Sequence, residues 1–437
     1  MGKSTIIYVI GLSLIIGLAL TNVNRSSLDS MDTYSTYFGR TMAHNIALAA
    51  ANLATNKVLF TPGYNTAMSG SFSGGTYSVT FADTGSGGTY RKFMAVTSAY
   101  NAGGETLRDT VRAVFGLYSF SRYAWFTDME RNGYRRPNGT GGPYLGASDW
   151  KITGDSVFGY AHTNAKFNLA GTPYFGKKVT ATNAPTTMKL SGVYDPTFME
   201  GYEWGVTVTR PAGNIATLKA NANIGNPLAG YFNGNDVGMH FQDANVRVRV
   251  PYNTGAIVDT VMQIADLSST GLVGVLNGDL HISGRYQGQL SVAAFTGTGA
   301  LANKGNVWID GDVTAYNNPQ SNPSSMDKLG IIAERMAYIT EDPSRNSSSE
   351  VNIQAAIYCH NGEFTAENFW TIPISGRVNV YGSICQGTAG SLGVFNHGHG
   401  LLNGFFYSVR HDPRFLVNGP PNFPFSTKYR LLSWWEN

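Results

Sequence analysis

The sequence has few charged residues and no concentration of one charge. Asp, Glu, Lys and Arg make up 14% of the 437 residues, whereas about 25% is usual in soluble domains. The net charge is +3 and no run of Lys and Arg occurs, so the basic footprint of a nucleic-acid-binding protein is missing. We therefore expect no nucleic-acid partner.

Cysteine is equally scarce, with only Cys359 and Cys385. Two thiols in an exported protein allow one disulfide. They can equally be two small buried hydrophobic side chains. Geometry decides between these alternatives, so at the level of sequence both stay open.

Motifs for nucleophilic and nucleotide chemistry are also missing, because no G-x-S-x-G, P-loop or G-x-G-x-x-G pattern occurs. Asp279, Asp310 and Asp312 could supply the carboxylate pair that glycoside cleavage needs. Each lies beside a glycine, which is typical of turn residues. We therefore predict no catalytic residues and no enzymatic activity.

The histidines give only a weak metal signal. His397 and His399, together with His360 or His411, could approach one ion, but no third ligand stands at a typical spacing. We predict that the glycine-flanked His397 and His399 lie on a surface loop. We also predict that the protein has no metal or other cofactor. For His162, in the sequence His-Thr-Asn, we predict a structural hydrogen bond.

The chain does have one long apolar run, at its N-terminus. No charged residue occurs from Ser4 to Asn24, and about 20 apolar residues suffice to cross a membrane. Lys3 precedes the run, so the positive-inside rule predicts a cytoplasmic N-terminus. A cleaved secretory signal is the alternative, but no small-residue cleavage site follows. The predicted anchor is formed by Ile6, Ile7, Val9, Ile10, Leu12, Leu14, Ile15, Ile16, Leu18 and Leu20.

Helical periodicity continues beyond the apolar run. No proline interrupts the chain before Pro62, so one long helix is expected within residues 1–60. A helix of about 50 residues is about 75 Å long. Its second half is predicted to be amphipathic and to pack on a domain or on neighbouring subunits. The side chains at helical spacing are Leu28, Met31, Phe38, Met42, Ile46, Ala49 and Leu53.

The remainder is rich in glycine, with 52 residues, and in aromatics, at 12%, which is typical of strands joined by turns. Residues 61–117 alternate at 76–81, 93–98 and 110–115 and predict a small antiparallel sheet. Residues 118–272 predict an irregular, turn-rich β region. Similar segments at 275–284, 306–314 and 376–384 predict a parallel β-helix over 273–437, ending in a C-terminal aromatic cap. The fold class is thus α+β, mostly β, with a long N-terminal helix, an antiparallel sheet and a β-solenoid body.

Several motifs in order resemble a family of bacterial pilin-like surface proteins related to the PilX minor pilins, the DUF4900-like group. They are the apolar N-terminus, residues 120–127, residues 153–164 with 171–175, residues 195–198, the Gly-Asp-Val segment at 311–313, residues 329–333 and the ending from His411 to Glu436. The long helix, apolar and then amphipathic, is also the arrangement of type IV pilins and pseudopilins.

The resemblance implies a subunit or minor component of a type IV pilus-like filament or secretion system. Prepilin processing would then cut between Gly2 and Lys3. Most pilins carry Glu five residues into the mature chain, where this sequence has Ile7. The implied partners are membrane lipid and other pilin-like subunits. The implied location is the inner membrane with a periplasmic body, or a filament on the cell surface. The alternative is a membrane-tethered β-helical adhesin that binds surface glycans.

Overall fold

The computed structural model describes residues 2–61, 63–84, 91–134, 140–142, 145–210, 214–253, 255–342, 344 and 349–436. The chain divides into two compact units. We call residues 1–117 with 427–437 the helix unit, and residues 118–426 the β unit.

Two α-helices and a series of strands make up the described residues. The helices are α1 (Lys3–Phe60) and α2 (Asn214–Asn221). The strands up to residue 250 are β1 (Met68–Phe72), β2 (Gly75–Thr84), β3 (Arg91–Ala102), β4 (Glu105–Ser119), β5 (Trp125–Met129), β6 (Ser156–Phe158), β7 (Ala161–Thr163), β8 (Asn168–Ala170), β9 (Tyr174–Phe175), β10 (Val179–Ala181), β11 (Thr186–Met188), β12 (Thr197–Phe198), β13 (Tyr202–Trp204), β14 (Val237–Asp243) and β15 (Asn245–Val250). The later strands are β16 (Val258–Gln263), β17 (Leu272–Leu276), β18 (Leu280–Tyr286), β19 (Gln289–Phe295), β20 (Val307–Ala315), β21 (Lys328–Ala333), β22 (Ala337–Ile339), β23 (Val351–Ile353), β24 (Ala356–Cys359), β25 (Phe364–Ala366), β26 (Ile374–Thr388), β27 (Gly393–Asn396), β28 (Gly400–His411) and β29 (Phe425–Glu436).

The helix unit consists of α1 and a five-stranded sheet in the order β1-β2-β3-β4-β29. Strands β1 to β4 pair antiparallel. The predicted long helix and small antiparallel sheet are therefore confirmed. The aromatic ending was predicted to cap the β-helix, and this is wrong: its alternating residues add β29 to the sheet instead.

The β unit is dominated by parallel pairing in two ladders. The first ladder runs β17-β19-β21-β24-β26-β5-β7-β10-β13. The second ladder runs from β14 through β18 and β20, divides over β22 with β25 and over β23 with β26, and continues through β28, β6, β9 and β12. An antiparallel hairpin, β15 and β16, extends the second ladder beyond β14.

The order of strands in the ladders differs from their order in the chain. Ile384 of β26 pairs with Trp125 of β5, and Ser408 of β28 pairs with Ser156 of β6. The first strands of the β unit therefore pair with strands that the chain completes about 250 residues later. We call this junction the seam. Both ladders join residues from the predicted irregular region to residues of the predicted β-helix.

From β17 to β7 most residues of the first ladder are buried on both faces, whereas its last strand, β13, is largely exposed. Along β19, Leu290, Val292 and Ala294 belong to the main core. The alternate residues Ala293 and Phe295 belong to a second core that α2 and the segment 415–423 complete. Burial on both faces explains why strands such as β21 read as continuous apolar runs.

The two cysteines are free thiols, and both are buried. Tyr358 pairs with Cys385, and Cys359 pairs with Gln386. Because neighbouring register positions face opposite sides of a sheet, Cys359 points into the main core and Cys385 into the second core. No disulfide joins them. Burial raises the pKa of both thiols, so each behaves as a small hydrophobic side chain.

Candidate membrane and assembly helix

The N-terminal third of α1 exposes its apolar side chains. From Ile6 to Leu20 the large hydrophobic residues are between 50% and 79% exposed. At 1.5 Å per residue, the uncharged stretch from Ser4 to Asn24 is about 30 Å long, the thickness of a bilayer's hydrocarbon core. Helix α1 is thus long and apolar enough to cross a membrane, by length and composition alone.

The middle of α1 mixes charges with exposed hydrophobic residues. Leu28, Met31, Tyr34 and Tyr37 are 60–71% exposed, and Phe38 is 45% exposed. Their spacing of three or four residues places several of them along one side of the helix. This side of the helix has the apolar character expected of a surface that packs against another helix.

The C-terminal third of α1 packs on the antiparallel sheet through small side chains. The residues that face the sheet are Ala43, Ile46, Ala47, Ala50, Ala51, Ala54 and Val58, each at most 3% exposed. They meet Val79, Met94, Val96 and Phe115 from β2, β3 and β4. Close approach extends to Gly39, where an added Cβ would lie 2.5 Å from Leu107 Cδ1 and 2.7 Å from Ala102 Cβ. The alanines let the helix backbone approach the sheet closely.

The predicted apolar side of this third is partly wrong. Ile46 is buried as expected, but Ala49 is exposed and Leu53 is 44% exposed. The periodicity gave most weight to large hydrophobic residues, whereas the contact with the sheet is made mainly by alanines.

Polar contacts fix the helix in one register against the sheet. The Ser98 hydroxyl donates a hydrogen bond of 2.6 Å to the Ala43 carbonyl. His44 Nδ1 lies 2.6 Å from Asp109 Oδ2, and its Nε2 lies 3.6 Å from Glu436 Oε2. The last strand of the sheet therefore also contacts α1.

The three aspartates considered for catalysis occupy different environments. Asp279 accepts hydrogen bonds from Asn306 N and Nδ2 and pairs with Lys304, whereas Asp312 accepts from Asn352 N. Asp310 accepts from Tyr252 Oη at 2.6 Å and Thr340 Oγ1 at 2.5 Å. Asp310 and Asp312 were predicted to be turn residues. This is wrong, because both lie within β20, where its pairing with β18 slips in register.

The histidines considered in the sequence analysis lie in the β unit. His162 Nδ1 lies 2.7 Å from Thr180 Oγ1, and its Nε2 lies 2.9 Å from Asn164 Oδ1, so this ring makes the predicted structural hydrogen bonds. His411 Nε2 donates to the Ser121 carbonyl, and His360 Nδ1 contacts Tyr358 Oη. Burial lowers the pKa of all three. Among the described residues, no group of three or more His, Cys, Asp or Glu side chains is arranged to hold a metal ion.

Comparison with known proteins yields distant structural similarity and no match at the level of sequence. No protein-family model and no curated protein matches the sequence. The resemblance to the DUF4900-like group is therefore not supported by sequence comparison. Among solved structures, the competence-associated pilin ComZ from Thermus thermophilus aligns with a TM-score of 0.33 and 11% identity, over 92% of this chain and 97% of that chain. A similarity at this level does not define the fold.

Proposed function

We propose that the protein is a non-enzymatic, pilin-like subunit or minor component of a type IV pilus-like filament or secretion system. The observation that carries the proposal is the division of α1. Its first third is uncharged and exposed, and its last third packs on an antiparallel sheet. A helix built this way can stay in a membrane or among other helices while its folded unit remains in water.

The proposed orientation follows from the charges around the apolar run. With Lys3 before the run, the N-terminus remains in the cytoplasm. The β unit is then displayed in the periplasm or on the cell surface. The proposed partners of α1 are membrane lipid and the helices of other subunits. The proposed processing site lies between Gly2 and Lys3, and Ile7 in place of the usual Glu favours a minor rather than a major subunit.

For the β unit we propose that the two parallel ladders are faces of one β-solenoid. Support comes from their agreement, since both ladders stack segments in the same order and share one apolar core. Stacked coils of this kind bury an apolar face that a single coil cannot bury alone.

Membrane retention tests the anchor. Leu14→Arg introduces a charge at the centre of the apolar run, where Arg costs roughly 2.5–3.5 kcal/mol in a membrane, so we expect the variant to be lost from the membrane fraction. Leu53→Arg is the matched control, because Leu53 is an exposed leucine in the sheet-packing third of the same helix. Equal retention of Leu14→Arg and wild type would contradict the anchor.

N-terminal sequencing of protein from sheared filaments tests the filament assignment. We expect a chain that begins at Lys3. Filament-associated chains that keep Met1 would exclude prepilin processing. A soluble chain that begins beyond Asn24 would instead identify the apolar run as a cleaved secretory signal.

A further inference from the structure

A polar cleft of about 240 Å³ lies on the outer face of the second ladder. Its walls come from β14, β15 with Tyr252 just after it, β18 and β20. The residues that give it chemical character are His240, Arg247, Arg249, Tyr252, His281 and Asp310. The cleft lies wholly within the β unit, and none of the roles proposed above uses it.

Strand register assembles this cleft from distant parts of the sequence. Gly238 lies between Arg249 on β15 and His281 on β18, whereas His240 lies between Arg247 and Ser283. Because these positions are two residues apart along each strand, both rows point to the same side of the sheet. The exposed face of the ladder thus presents two arginines and two histidines together.

A ring stack fixes one wall of the cleft. Tyr252 lies over Gly238, where any added Cβ would overlap its ring. The Tyr252 and His281 rings stack with centroids 4.0 Å apart and 19° between their planes, and the stack continues to the buried Trp308. The absence of a side chain at Gly238 therefore makes room for both the ring and the cleft.

The carboxylates at the cleft are already engaged by protein donors. Asp310 accepts hydrogen bonds from Tyr252 and Thr340, and His281 Nδ1 lies 3.1 Å away. Arg247 donates hydrogen bonds to Asp259 from Nε at 2.7 Å and from Nη2 at 2.8 Å. Arg249 Nε lies 3.4 Å from Asp259 Oδ2. Both acids hold donors in place and have little accepting capacity left.

Donors are therefore in excess on the cleft wall. Arg247 and Arg249, which are 49% and 44% exposed, keep guanidinium N–H groups that Asp259 does not use. The second ring nitrogen of His281 and the ring of His240 add further polar groups. A ligand that satisfies this wall must be rich in acceptors, and arginine forks match carboxylates best.

We propose that this cleft binds one carboxylated sugar residue of an acidic polysaccharide. The carboxylate pairs with Arg247 and Arg249, and the ring hydroxyls contact His240, His281 and Ser283. A volume of about 240 Å³ is slightly below the roughly 300–1,000 Å³ of pockets for drug-sized ligands, which suits one sugar ring of a chain that continues into solvent. The site depends only on the β unit, so it does not rest on the filament assignment.

Isothermal titration of the full-length chain in detergent micelles tests the proposal. The probes are a tetramer of β-1,4-linked glucuronic acid and its carboxyl-reduced counterpart, cellotetraose. We expect the acidic tetramer to bind at least tenfold more tightly, and more weakly as salt is raised. Arg249→Gln should weaken that binding tenfold or more. Arg285→Gln is the matched control, because Arg285 is a similarly exposed arginine that pairs with an aspartate, Asp243, outside the cleft.

Several results would overturn the proposal. They are no binding of the acidic tetramer at millimolar concentration, equal binding of cellotetraose, or unchanged binding by Arg249→Gln. Displacement of the tetramer by inorganic phosphate at similar concentration would mean a simple anion site rather than a saccharide site. Unchanged circular dichroism of both variants separates lost contacts from lost folding.

Discussion

The two ladders of the β unit are built from the same kind of parallel pairing but differ in what covers them. The first ladder is closed on its outer side by α2 and the segment 415–423, and strands such as β21 and β24 are buried at every residue. The second ladder alternates buried and exposed residues in β15 and exposes His240 and Arg247. Where the first ladder is covered, its side chains therefore form core, whereas the open end of the second ladder, at β14 and β15, can carry a binding surface.

The largest expected effect comes from uncovering the first ladder. Phe423 is 1% exposed and packs edge-on against Tyr358, with ring centroids 6.2 Å apart. Phe423→Ala should lower the free energy of unfolding by about 3–5 kcal/mol. Tyr316→Ala, at a 46% exposed aromatic next to the open ladder, should cost about 1 kcal/mol or less. Urea unfolding of the detergent-solubilised chain measures both, and equal losses would remove the distinction between the ladders.

The seam and the open end of the second ladder also differ in how their carboxylates respond to pH. At the seam, burial raises the pKa of Glu130 to about 7 and that of Asp155 to about 6. On the open ladder, burial alone would raise the pKa of Asp310, but hydrogen bonds from His281, Thr340 and Tyr252 outweigh it and hold the pKa below its usual value. Protonation should therefore stabilise the seam and weaken the contacts of Asp310.

The direction in which the carboxylates at the seam change the stability with pH can be measured. Between about pH 5 and pH 7 Glu130 and Asp155 hold protons in the folded chain that they release in the unfolded chain, so their contribution to stability rises as the pH falls. His162, His360 and His411, whose pKa is lowered by burial, contribute in the opposite direction. The slope is about 1.4 kcal/mol per pH unit for each extra proton held. Glu130→Gln should reduce this slope, whereas Glu203→Gln, at an exposed ion pair with Lys178, should leave it unchanged. The same pH slope in Glu130→Gln as in the wild type would contradict the assignment.

Local patterns predicted the elements that depend on near neighbours in sequence. The apolar run, the end of α1 and strands β2 to β4 follow from periodicity and turn residues. The seam could not be predicted, because the pairing of Trp125 with Ile384 leaves no local signal. The destination of β29 was missed for the same reason. The cleft had a signal that was overlooked: the alternation Asn245-Val-Arg-Val-Arg-Val250 places Arg247 and Arg249 on one face of a strand.

Two glycines, one in a strand of each ladder, allow the packing over the two ladders to be compared by adding a single methyl group. At Gly330, on β21, an added Cβ would overlap Ser291 Oγ and lie 3.2 Å from Phe423 and Pro420, so Gly330→Ala should cost about 1–3 kcal/mol. At Gly311, on β20, the only neighbour within 4 Å would be Ser283 Cβ at 3.8 Å. Gly311→Ala should therefore be neutral, or stabilising by about 0.4–1 kcal/mol, because alanine restricts the unfolded chain. Since both changes add one methyl group to a strand of the β unit, a difference in urea midpoint between them reports the cover over the first ladder. Equal midpoints would mean that the segment 415–423 yields to the added atom and that the first ladder is as open as the second.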